Sequence, residues 1–244
     1  MTSAKDIVLK PISRRLADAT VRHIHYSGKV CSNSQLHIGV FLNGKIEGAL
    51  QFGPSMDKSK VISLVEGTEW NGFIELNRMA FSDALPRNSE SRAISIAMRY
   101  LKARAPHLKW VISFSDATQC GDGTIYRASG FTLTGINENS TIYEAPNGEK
   151  FASITLTKAY PEAAAFKRAR KIAAEYIDGP LPPFDGRSSM KIFAEAGFKK
   201  MPGFQLRYIY FLDPSCRSKL VVPEIPFSEI KARGAQMYKG KRPD

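Results

Sequence analysis

Ser113-Phe-Ser-Asp116-Ala-Thr-Gln-Cys-Gly121-Asp-Gly123-Thr-Ile-Tyr126-Arg-Ala-Ser-Gly130-Phe131 is the stretch on which the reading of this chain turns. Leu108-Lys-Trp110-Val-Ile112 precedes it, a β-rich apolar run with the pattern of a buried strand. Asp116 therefore stands where a core strand ends. Gly121 and Gly123 permit a tight turn. A short helix then carries Tyr126, and Gly130-Phe131 closes it as a glycine cap with its hydrophobic contact. A carboxylate at a strand end and a phenol one loop later are placed to meet in one cleft, where ligand sites of sheet-and-helix folds gather.

Outward from this stretch the pattern is regular. Upstream, Ile94, Ala97, Met98 and Leu101 stripe a helix over residues 89–103, with Arg92, Arg99 and Lys102 off the stripe. Before it lie a loop at 82–89 and expected strands at 73–81 and 61–65. Asn43-Gly44 between residues 36–41 and 45–52 is a hairpin signal. Residues 11–26 are expected to be helical. Downstream, Asn147-Gly148 turns a second hairpin, 141–144 against 150–157. Pro161 opens a helix over 162–176, residues 179–183 form a Pro-rich link, and 188–198 is a short helix. Residues 206–212 form an aromatic strand. This predicts one α+β domain over 1–244 with a mixed, mostly antiparallel central sheet flanked by helices. Its core spans about 11–160, a C-terminal helix-and-strand elaboration about 161–222, and a basic tail 223–244.

The chain of 244 residues is 43% hydrophobic and 10% aromatic, enough for a core and unlike a disordered segment. Cys31, Cys120 and Cys216 have no metal-ligand spacing and form no disulfide framework, which suits a reducing compartment. No apolar run reaches a membrane span and no signal-peptide core is present, so a membrane is not an expected partner. The net charge of +12 favours a polyanion as partner, whether DNA, RNA, an anionic surface or a phosphate-rich cofactor.

Each chemistry-bearing residue has a functional and a plain reading. Tyr26, in His23-Ile-His25-Tyr26-Ser-Gly28, can orient a substrate, act as general acid or stack on a base, or it can simply cover the sheet with its hydroxyl in water. His23 and His25 have the spacing of one strand face, not of a helical metal pair, and no carboxylate spacing supports a metal. Asp116 is a general base or a turn cap. Tyr126 faces the same cleft or the core. Arg78, within Glu75-Leu-Asn77-Arg78, binds phosphate or carbonyl, or pairs on a solvent face. Arg87, Ser89, Ser91 and Arg92 ring a helix N-terminus, where free N–H groups and guanidiniums suit a phosphate, while plain N-capping is the simpler reading. Lys167, Arg168 and Lys171 make the helix at 162–176 either a DNA-facing element or a solvated surface.

The order strand with internal Arg, phosphate-type loop, striped helix, strand, short helix with Tyr and Gly-Phe exit resembles the core of the GNAT acyltransferase superfamily. That resemblance implies acyl-coenzyme A between two splayed central strands, its pyrophosphate on the loop at 87–91, although this loop lacks the usual glycines. His25-Tyr26-Ser27-Gly28, the Asn43-Gly44 hairpin, Glu75-Leu-Asn-Arg78 and the stretch 113–131 are similar to the Mom family of phage adenine-modification proteins. The similarity covers about residues 11–215. It implies an enzyme that adds an acetamido (carbamoylmethyl) group to the exocyclic amine of adenine in double-stranded DNA, shielding phage DNA from restriction in the host bacterial cytoplasm. Tyr26, Asp116, Tyr126 and His25 would be catalytic. Arg78 and Ser91, with Arg87 and Ser89, would hold acetyl-CoA. Acyl transfer alone would leave an acetyl group, so a further step must supply the amide nitrogen, and a metal-assisted step through His25 stays open, as does homodimerisation. Two other classes remain: a catalytically silent GNAT-fold DNA-binding protein, and a GNAT N-acyltransferase acting on a protein or small amine.

Overall fold

The computed structural model describes residues 2–118, 121–157, 162–181 and 190–236. The elements, in order, are β1 (Val8–Pro11), α1 (Arg14–Ile24), β2 (Leu36–Leu42), β3 (Lys45–Gly53), α2 (Lys58–Ile62), β4 (Phe73–Phe81), α3 (Ser89–Arg104), β5 (Trp110–Asp116), α4 (Thr124–Ala128) and β6 (Thr132–Glu138). Then follow β7 (Ile142–Glu144), β8 (Lys150–Ala152), α5 (Ser153–Thr157), α6 (Ala164–Ala174), α7 (Met190–Glu195), β9 (Lys199–Lys200), β10 (Phe204–Phe211) and α8 (Ser228–Ala232).

Seven strands form one sheet in the order β1-β2-β3-β4-β5-β10-β6. The first three pairings are antiparallel and β4–β5 is parallel. This is the α+β mixed sheet flanked by helices expected from the sequence. The β2–β3 turn holds Asn43 at φ 51° and Gly44 at φ 79°, the left-handed pair that such a two-residue hairpin demands. A bulge interrupts β4: Gln51 faces Arg78 while Phe52 faces Leu76, which leaves Asn77 as the extra residue. Gly53 faces Glu75, so Glu75 and Arg78 share the sheet face of residues 51 and 53 despite being three apart.

Two helices fix the faces of the sheet. Helix α3 buries Ala93, Ile94, Ala97, Met98 and Leu101, the expected stripe. Full burial of a side chain of the size of Ile, Met or Leu contributes about 2 kcal/mol, so Met98→Ala would open a hole in the middle of the stripe. Helix α1 seats Val21 against Ala49 of β3 and Ala80 of β4. A third cluster joins Val61, Leu64 and Val65 to Phe73, Trp110, Ile112 and Ile209, with the Phe73 and Trp110 rings stacked at 4.4 Å.

Three expectations need correction. Residues 61–65 are not a strand: α2 ends at Ile62, and Val65 forms only an isolated bridge to Leu220. Val61, Leu64 and Val65 recur at helical spacing to reach one cluster, and a short apolar run does not distinguish the two periods. Residues 153–157 are helix α5, not the second half of a hairpin strand; Leu156 is buried, and Thr157 Oγ1 bonds back to Ser153 O at 2.9 Å. The first helix begins at Arg14, capped by Ser13, because Pro11 belongs to β1. Cys120, the helix start at Pro161, the end of the link at 182–183, the start of the helix at 188–189 and the last eight residues of the tail lie outside the described residues.

The chain clusters into two compact units. One comprises residues 1–136 and 206–244; the other, residues 137–205, is inserted between β6 and its sheet neighbour β10. The inserted unit has its own three-stranded sheet, β8-β7-β9, and its own core, centred on Phe166, Ile172, Phe193 and Phe198. At its base the Asn139 N–H donates to Gly203 O at 2.8 Å.

Candidate active site

β4 and β5 pair only over Phe73–Glu75 against Trp110–Ile112, and no register joins them beyond that. The parallel pair is thus forked toward its C-terminal end. Ser113 sits at the crotch, its Oγ 3.1 Å from Leu76 O and 2.8 Å from Tyr126 Oη. A carbonyl can only accept, so the serine proton goes to Leu76 O and the tyrosine hydroxyl donates to Ser113. The ring of Tyr126 is buried, stacked on Tyr208 at 5.0 Å and edge-on to Phe131 at 5.3 Å. The core-facing and cleft-facing readings of Tyr126 thus describe its two ends: a packed ring and a hydroxyl at the fork.

Tyr208 was not among the sequence candidates. Its hydroxyl donates to Asp122 O at 2.5 Å, and burial, with the Asp122 and Tyr126 neighbours adding to it, pushes its phenol far above the ordinary value. The Asp122-Gly123 turn rests directly on this ring. Gly123, at φ 77°, leads into α4, and a Cβ there would come within 2.5 Å of Tyr208 Cε2. An aromatic strand after the inserted unit was the only sequence signal for this support, and nothing in the pattern paired it with residue 126.

On the opposite face of β5, Asp116 meets the end of α1. Tyr26 Oη donates to Asp116 Oδ2 at 3.4 Å, a long contact between residues 90 positions apart. Asp116 Oδ1 accepts from Thr118 N–H at 3.0 Å and from the Thr118 hydroxyl. One oxygen therefore caps the turn while the other addresses Tyr26. Tyr26 is half exposed and its ring lies 4.3 Å from that of His25. Phe114, two residues before Asp116 and so on the same side of β5, is 41% exposed, which is unusual for the middle of a core strand. Its period-2 relation to Asp116 was the signal that sequence reading passed over.

His25 closes α1, its N–H bonded to Val21 O at 2.9 Å. Its Nδ1 accepts from Ser27 N–H at 3.2 Å and lies 2.8 Å from Ser27 Oγ. Burial, then the Arg78 charge, lowers its pKa to about 4, with Asp116 pulling the other way. The ring is neutral at neutral pH. Because Nδ1 accepts a backbone N–H, its proton sits on Nε2. Arg78 reaches from the bulge of β4, giving Nε to Lys29 O at 3.0 Å and Nη1 to Asn77 O at 2.8 Å. It ties down the loop that carries Tyr26. Burial raises the pKa of Glu75, opposed by hydrogen bonds with Ser55 and Asn77 and by the Arg78 charge. Among the described residues, no group of three or more His, Cys, Asp and Glu side chains could hold a metal ion.

The second cluster lies at the start of α3. Asn88, at φ 69°, is the N-cap residue and makes no side-chain capping bond. It adopts the left-handed conformation that glycine provides elsewhere, so a loop without glycine still turns. Ser91 Oγ donates to Asn88 O at 3.2 Å. Ser89 Oγ and Arg92 Nε are buried without a hydrogen-bond partner, and Arg87 is exposed. A cavity of about 410 Å³ is lined along α3 by Asn88, Ser91, Arg92, Ser95 and Arg99. An uncapped helix start, orphaned donors and two guanidiniums fit a phosphate-bearing coenzyme.

In the inserted unit, Lys167 Nζ pairs with Glu162 at 2.8 Å and Arg168 Nε with Glu149 at 3.0 Å, while Lys171 is exposed.

Comparison with known proteins adds three findings. The profile of the Mom protein family matches residues 6–229. Over 171 residues the chain is 39% identical to a protein of Escherichia phage Mu named Methylcarbamoylase mom, covering 69% of this chain and 70% of that one. Among solved structures, a Bacillus subtilis acetyltransferase in complex with CoA is 8% identical and covers 84% of this chain and 97% of its own, with a TM-score of 0.42. A spermidine/spermine N-acetyltransferase from Vibrio cholerae, also 8% identical, covers 88% and 98% with a TM-score of 0.43.

Proposed function

The chain belongs to the Mom protein family, and from that premise we propose that it is a transferase that modifies phage DNA, adding an acetamido (carbamoylmethyl) group to the exocyclic amine of adenine in double-stranded DNA. The name of its phage Mu relative, a methylcarbamoylase, supports transfer of a small carbamoyl-containing group. The single observation that carries the site is the Tyr26–Asp116 contact at the open end of the forked strands.

The residues divide the work by chemistry. Adenine's amine is a poor nucleophile and lies inside the base stack, so the base must be extruded and held. Tyr26 and Phe114, both partly exposed on the side of Asp116, are the aromatic surfaces for it. Asp116 Oδ2 accepts the amine's hydrogen bond and takes its proton. His25, neutral, offers Nε2–H as a fixed donor. Tyr126, its hydroxyl proton committed to Ser113, would offer only its oxygen lone pair at the fork, accepting from an N–H of the incoming group. Acetyl-CoA would supply the two-carbon unit with CoA as the leaving thiol, a separate amine donor would supply the amide nitrogen, and a two-electron oxidant would be needed to join the methyl carbon to the adenine amine. Ser91, Ser89, Arg87 and Arg92 at the start of α3, together with Arg78, would hold its phosphates. The modified adenine would no longer present its ordinary major-groove donor to a host restriction enzyme.

The test is direct. DNA from bacteria expressing the chain is digested and its nucleosides weighed. An adenine adduct of the acetamido mass is expected; unmodified adenine overturns the reading.

A further inference from the structure

The inserted unit contains ten Lys and Arg against eight Asp and Glu, a net +2 of the chain's +12. The unit with the forked strands therefore carries +10. The basic helix α6, the most obvious DNA-facing element in the sequence, has two of its cations already paired with glutamates. Helix α1 is different. Arg15, Ala19 and Arg22 fall at positions i, i+4 and i+7, all three exposed, on a helix that ends at Ile24, two residues before the exposed Tyr26. The one carboxylate on α1, Asp18, is turned to Arg14 at 3.6 Å and to Gln51 at 2.8 Å, away from this stripe. No ion pair involves Arg15 or Arg22 among the described residues. Ala19 between them has neither bulk nor charge to keep a phosphate backbone away.

We propose that the exposed stripe of α1, Arg15 and Arg22 with Ala19 between them, is the phosphate track that lays duplex DNA across the site and delivers one nucleotide to Tyr26. This deepens the DNA-modification reading and rests on it. The two guanidiniums lie about 10 Å apart along the helix axis, so they engage different phosphates of the backbone. Such contacts position the duplex without reading its sequence. Their place on the helix that leads into the turn carrying Tyr26 couples backbone docking to presentation of the base, so a protein lacking them fails in both.

Affinity for two duplexes of unrelated sequence is measured against salt for the full chain, for Arg15→Gln/Arg22→Gln, for Arg15→Lys/Arg22→Lys and for Lys167→Gln/Lys171→Gln. The α1 glutamine pair should weaken both duplexes at least tenfold at low salt and lower the log–log salt slope by about two. The lysine pair should retain most of the affinity, which distinguishes lost charge from lost fold, and coenzyme binding should be unchanged in both. The α6 pair should show the smaller loss. The proposal is overturned if the α1 glutamine pair binds like the parent, or if the α6 pair loses more. A parent chain with no affinity for either duplex at low salt overturns instead the DNA-modification reading beneath it.

Discussion

The ring of Tyr208 lies beneath both Tyr126 and Gly123: it stacks on the first at 5.0 Å with planes 23° apart, and leaves no room for a Cβ on the second. One buried strand residue thus sets both the turn before α4 and the tyrosine on it.

Gly123→Ala should therefore be costly. A left-handed φ costs a non-glycine residue about 1–2 kcal/mol, and relieving the overlap with Tyr208 adds to that. The expected result is a lower urea midpoint together with loss of adduct. Parent-like stability would mean that the turn is not clamped by Tyr208.

Asp116→Asn and Tyr126→Phe should each abolish most adenine adduct while circular dichroism stays unchanged. The amide oxygen introduced by Asp116→Asn would still accept from Thr118, so the turn survives. Loss of the Tyr126 hydroxyl removes one hydrogen bond to Ser113, a stability change of about 1 kcal/mol. Normal adduct levels in either variant would reduce that residue to a packing role.

His25 makes a prediction in pH. Its folded pKa, about 4, lies below the unfolded value of 6.5. Above pH 6.5 neither state is protonated and the group is neutral to stability. Between 6.5 and 4 only the unfolded state binds the proton, so stability falls with acidity, by up to about 3 kcal/mol. Urea titrations at pH 7 and pH 5 should show this fall, and His25→Gln should flatten part of it. An equal fall in the variant would assign it to other groups.

Arg92→Ala and Ser91→Ala should weaken CoA binding in calorimetry. About tenfold is expected for Arg92, from the loss of one charge-assisted phosphate contact. DNA affinity should not change. Unaltered CoA affinity in both variants would move the coenzyme away from α3.

Parts of this architecture were legible because local chemistry dictates them. Asn43-Gly44 has one good backbone solution, and Ile94, Ala97, Met98 and Leu101 have one good face. The end of β5 at Asp116 followed from an apolar run that stops. The fork could be expected only through resemblance, since a parallel pairing of three residues leaves no periodic trace. α2 and α5 were misread because four or five apolar and β-branched residues fit either period. The Tyr26–Asp116 approach and the tyrosine stack depend on contacts across 90 and 82 positions. Tertiary packing, not local pattern, creates such pairs. The candidate residues could be named from the sequence; the residues that hold Tyr126, Ser113 and Tyr208, could not.

The Asn139–Gly203 hydrogen bond closes the base of the inserted unit between two strands that are neighbours in the sheet. In topological terms, β6 and β10 are the arms of a single hairpin, and the whole unit is its overgrown tip. Loop-closure entropy rises only slowly with length, so lengthening, shortening or exchanging that tip need not alter the register of the strands in the seven-stranded sheet. Diversification of the protein is therefore cheapest at this hairpin end, where length and surface can change without breaking a strand pairing.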